Sequence, residues 1–106
     1  MSEFNARESL DQLAAEFRGD QCEIVRRPGH QTVLCIKLTG RTFDVVATDA
    51  DHCANYQVLT GAGPKTLAYG DTHKARMKLL EILDTDEDPK DWDWWRPLRR
   101  ADTGPA

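Results

Sequence analysis

The sequence predicts an α+β domain: a mostly antiparallel sheet of about four strands with two helices packed on one face, in the order α-β-β-β-(β)-α. Three observations carry this. Apolar residues recur with a helical period near each end of the chain. Between them lie short stretches rich in β-branched residues, separated by Pro-Gly and Thr-Gly pairs. The length, 106 residues, suffices for one hydrophobic core and is too short for two.

From Asn5 to Arg18, Leu10, Leu13, Ala14 and Phe17 fall at i, i+3, i+4 and i+7, so an amphipathic helix stopped by Gly19 is expected. Residues 22–27, 32–38 and 42–48 read as strands, with Pro28-Gly29 and Thr39-Gly40 as hairpin turns. A period of two puts Leu34, Ile36 and Leu38 on one face with Phe43, Val45 and Ala47. The opposite face mixes Val25, Val33, Cys35 and Val46 with Glu23, Arg27, Lys37, Thr42 and Asp44. Asp49–Ala54 reads as a loop, and Tyr56–Thr60 and Thr66–Tyr69 as further strand segments around a Gly-Ala-Gly-Pro turn. Asp71 and Thr72 open a second helix whose stripe is Ala75, Leu79, Ile82 and Leu83. The expected domain is therefore residues 1–83, followed by an acidic linker and a Trp/Arg-rich tail over 84–106.

Hydrophobic residues make up 40% and charged residues 30%, and no apolar run approaches the roughly 18 residues of a membrane span. The N-terminus has no secretory pattern, and Cys22, Cys35 and Cys53, spaced by 13 and 18, form no disulfide framework. A cytoplasmic protein with three thiols is expected. Residues 1–83 are almost charge-balanced, with ten basic and eleven acidic side chains. Residues 84–93 then carry six acids and one lysine, ahead of Arg96, Arg99 and Arg100. This distribution disfavours nucleic acid as a partner, because backbone binding needs a concentrated basic surface.

Sites of small-ligand chemistry fail on their spacing. Gly61-Ala62-Gly63-Pro64-Lys65-Thr66 has Pro64 where a phosphate loop needs a glycine N–H. Asp84, Asp86 and Asp88 alternate as in a calcium loop, but Pro89 and Trp95 stand at the glycine and terminal-acid positions. Cys22, His30, Cys35, His52 and Cys53 lack metal-ligand spacing, so neither a metal nor a cofactor is expected. A small enzyme built on the 49–53 loop would need a cleft around His52, with a base in reach of Cys53. A basic helix start, His73, Lys74, Arg76 and Lys78, is the remaining candidate for phosphate contact. With Pro28-Gly29-His30 and Gly70-Asp71-Thr72-His73-Lys74-Ala75, the helix–strands–helix order resembles the double-stranded RNA-binding domain. That resemblance implies three strands and RNA contact at the second helix, where of the family's paired lysines only Lys74 is matched.

The most informative segment is Trp92-Asp93-Trp94-Trp95-Arg96-Pro97-Leu98-Arg99-Arg100. Tryptophans each bury about 150–250 Å², and Trp and Arg dominate binding hot spots. With no catalytic constellation in the chain, the expected function is non-enzymatic: a regulatory protein that docks on another protein as antagonist, sequestering factor or adaptor. A transcription regulator, a defence or toxin component, or a second copy of the chain are the partners considered. Trp92, Trp94, Trp95, Arg96, Leu98 and Arg99, with Val25, Val33 and Val46 of the sheet face, are the expected docking residues.

Overall fold

The computed structural model describes residues 4–93. Asn5 caps the first helix: its Oδ1 accepts the Glu8 N–H at 3.1 Å, satisfying one of the amides a helix start leaves unpaired. Helix α1 spans Ala6–Ala14 and buries Leu10 and Leu13 completely. It ends earlier than its apolar stripe suggests. The Glu16 and Phe17 amides bond Leu13 and Ala14, three residues back, so the last turn tightens before Arg18 turns extended. Phe17 still packs against the core from outside the helix.

Five strands follow: β1 (Cys22–Arg27), β2 (His30–Leu38), β3 (Arg41–Ala50), β4 (Cys53–Thr60) and β5 (Gly63–Tyr69). They form one sheet in chain order, antiparallel throughout. The loop expected over Asp49–Ala54 is instead a tight hairpin. Asp51 and His52 take φ of 52° and 75°, so two central residues of positive φ join β3 directly to β4. Such turns follow the right-handed strand twist and normally use glycine; here Asp and His adopt the conformation. The sheet has five strands, within the expected antiparallel α+β architecture.

Helix α2 spans Thr72–Thr85, capped by Asp71 through a 2.9 Å bond from the Lys74 N–H. At its end Asp86 is left-handed (φ 58°), its N–H bonding Leu83 O while the Glu87 N–H reaches Ile82 O. This is a Schellman closure without its usual glycine. A left-handed Cβ costs about 1–2 kcal/mol, and glycine gives back about 0.5–1 in chain entropy, so Asp86→Gly should stabilise by roughly 0.5–1 kcal/mol. The melting temperature should rise by about 2–8 °C for a domain this small. The Arg41–Asp86 contact that the variant loses is long, 3.8 Å, and Asp86 is 93% exposed, so it offsets little. A lower melting temperature would show that this contact outweighs the backbone strain.

Both helices pack on the sheet face formed by Leu34, Ile36, Leu38, Phe43, Val45, Ala47, Ala54, Tyr56 and Val58. Leu67, Ala68, Ala75, Leu79 and Ile82 complete that core, and so does Trp92. Helix α2 runs on past residue 83, and Trp92 joins this core across a short 3-10 turn at Pro89–Asp91. The acids of this stretch stay at the surface: Asp84, Asp86, Asp88 and Asp91 are exposed. Helix α2 also buries two charged residues, Lys78 and Glu81, and Lys78 lies beside Trp92. Lys78 Nζ donates to the Asp93 carbonyl at 3.2 Å and stands 5.4 Å from the Trp92 ring centre. The result is a single compact α+β domain with a Cα radius of gyration of 13.3 Å, against about 13 Å for a typical 100-residue domain. Among the described residues, no helix is long and apolar enough to cross a membrane.

Candidate functional site

The sheet face turned away from α1 and α2 carries the expected docking valines. The pairing register aligns Val25, Val33, Val46 and Gln57 in one row across β1 to β4. Val33 and Val46 are 0% and 5% exposed, so they present almost no area, whereas Val25 on β1 is half-buried. The neighbouring row is Glu23, Cys35 and Asp44. Arg27 Nε reaches Asp44 Oδ2 at 2.9 Å, and Lys37 lies 3.6 Å from Glu23. Trp92 is buried in the domain's own core, and Trp94, Trp95, Arg96, Leu98 and Arg99 lie outside the described residues.

Burial disfavours the thiolate form of two cysteines, Cys35 on this face and Cys22 on the other. Burial first, and the Asp44 carboxylate second, push the Cys35 thiol above its usual range. Burial raises Cys22, with Cys35 adding to it, and burial raises the Tyr56 phenol, whose OH donates to Ser9 O at 2.9 Å. As pH rises past the ordinary thiol value of about 8.5, the unfolded chain loses these protons before the folded chain does. Stability is then complete below that pH and falls above it. The melting temperature should drop between about pH 8 and about pH 10, and less steeply in Cys35→Ala. Equal slopes would remove Cys35 from this account.

The first strand of the meander contributes what sequence reading missed. Because each strand pairs with the next in chain order, β1 is an edge, bonded among the described residues to β2 alone. Its six residues, Cys-Glu-Ile-Val-Arg-Arg, contain no proline, and Glu23, Arg26 and Arg27 are exposed. A register shift between Val25 and Arg27 bends its end. The other edge, β5, carries Pro64, which has no N–H to offer. Consecutive short hairpin turns were the signal in the sequence for this arrangement.

Two other places bear on the alternatives. A cleft of about 830 Å³ does lie between the start of α1 and the β3–β4 hairpin, lined by Phe4, Glu8, Asp49, His52, Cys53 and Tyr56 among others. Within it, the Cys53 thiol donates to Ala50 O at 3.2 Å, while the His52 side chain is 95% exposed and sits 4.0 Å from Asp51. Among the described residues, the thiol's bond is to this carbonyl and not to His52. At the start of α2, Glu16, just beyond α1, accepts from Thr72 Oγ1 at 3.0 Å and lies 3.7 Å from His73 Nδ1. A carboxylate therefore stands among the cations that the RNA-binding resemblance needs, and five strands replace that family's three. Among the described residues, no group of three or more His, Cys, Asp or Glu side chains is arranged to hold a metal ion. Compared with known proteins, the chain matches no family model, no curated protein and no solved structure.

Proposed function

We propose that this chain is a small protein-docking domain, working without catalysis as an antagonist, sequestering factor or adaptor, and that it docks through the edge of β1. The observation that supports this reading is the edge itself: six residues paired on one side, free of proline, with half-buried Val25 at the centre. An edge strand presents a row of backbone donors and acceptors, which an incoming strand satisfies while alternate side chains supply selectivity. Val25 adds the apolar contact, and Glu23, Arg26 and Arg27 set charge at both ends. The three free cysteines suit a reducing compartment such as the cytoplasm.

The test compares proteins retained from the native host by the parent chain and by Val25→Lys, since lysine is a common natural block on strand edges. Partners held by the parent and lost by a variant with an unchanged circular-dichroism spectrum are the expected result. Identical sets from both chains would remove β1 as the docking edge.

A further inference from the structure

We infer that the β1 edge pairs with the β1 edge of a second copy of this chain, antiparallel, about a two-fold axis through Val25. This deepens the docking reading above and rests on it. The strand carries an acid near its start and two cations at its end: Cys22-Glu23-Ile24-Val25-Arg26-Arg27. Parallel pairing in register would set Glu23 against Glu23 and arginine against arginine. Antiparallel pairing centred on Val25 instead sets each Glu23 against the Arg26–Arg27 end of the other copy, twice by symmetry. Opposite charges across strands stabilise such a pair, and like charges oppose it.

The geometry of the axis adds a second reason. A two-fold that relates antiparallel neighbouring strands stands perpendicular to the sheet, so residues meet partners from the same face. Val25 then meets Val25, and the row Val46–Val33–Val25 of one copy runs on into Val25–Val33–Val46 of the other. Half-buried Val25 becomes interior, and the sheet continues across the junction with all four helices on one side. Arg27 holds Asp44 through Nε at 2.9 Å while its side chain stays 41% exposed, so it can face a second carboxylate, and the contact of Glu23 is looser. Glu23 meets Lys37 at 3.6 Å with both side chains about 60% exposed, a pair that holds its members weakly. The β5 edge lacks the pattern, since Pro64 interrupts its donors.

Sedimentation of the full chain from about 1 µM to about 1 mM, the range of weak to moderate association, tests this. The parent chain should reach twice its monomer mass. Glu23→Arg should sediment as a monomer, and so should the double variant Arg26→Glu/Arg27→Glu. An equimolar mixture of the two should regain the dimer. In that mixture the arginine introduced by Glu23→Arg faces the glutamates of the double variant, whose own Glu23 faces the intact Arg26 and Arg27 of the first chain. Because Arg27 also holds Asp44, Glu23→Arg and Val25→Lys carry the test if the double variant loses its circular-dichroism spectrum, and Val25→Lys should dissociate the dimer independently. A parent chain monomeric throughout the range overturns the inference, as does a dimer indifferent to Glu23→Arg and Val25→Lys, or a mixture without rescue. The docking reading fails separately: there, capture of host proteins is the same with and without Val25→Lys, whatever the mass of the parent chain.

Discussion

Trp92→Ala should lower the unfolding free energy by about 3–5 kcal/mol, the largest single effect expected in this protein. Trp92 is 2% exposed and belongs to the same cluster as Leu79, Ile82 and Tyr56, although it lies seven residues beyond α2. Truncation removes its apolar area and leaves a cavity that the core closes only in part. It also takes away the ring beside Lys78, a fully buried cation, and a desolvated cation–π contact contributes up to about 2 kcal/mol. A domain of this size has roughly 5–15 kcal/mol in all, so the variant should melt far below the parent. Thermal unfolding measures this, and Trp92→Phe should recover part of the loss by keeping an aromatic face. A Trp92→Ala melting curve within a few degrees of the parent would show that the residue is not core.

Leu79→Ala should cost about 2–5 kcal/mol by the same mechanism. Leu79 is 0% exposed on the stripe of α2 that faces the sheet, with Ala75 and Ile82 on either side. At about 4–8 °C of melting temperature per kcal/mol, the drop is large. Leu79→Met, which keeps volume, should cost under about 1.5 kcal/mol. Were alanine tolerated as well as methionine, α2 would be rotated from the face assigned to it. The edge-strand variants Glu23→Arg and Val25→Lys should stay close to the parent in stability, because those positions are exposed or half-buried. Unfolding measurements thus separate core residues from docking residues.

What the sequence determined by itself was everything carried by a local period or a local hydrogen bond. The i, i+3, i+4 stripe of α1, the alternation in β2 and β3, and the Asp71 cap each depend on residues within one or two turns. The α+β class, with both helices on one face of an antiparallel sheet, follows from those pieces. Even locally, one signal misled: Asp51-His52 has no glycine, so the β3–β4 hairpin read as a loop. The tertiary structure decided what covers each apolar group. Periodicity shows that Val33, Val46 and Trp92 are apolar and which way a strand alternates, but their burial is set by neighbours distant along the chain. Val33 and Val46 are buried although they lie on the sheet face turned away from the helices, and Trp92 is drawn into the core across the turn that follows α2. Lys78, at i+3 from Ala75 on the margin of the apolar stripe, is buried because the segment after α2 returns alongside it, Nζ donating to the Asp93 carbonyl. The β1 edge likewise exists only once strand order is known, since an unpaired backbone is a property of the assembled sheet and of no single residue.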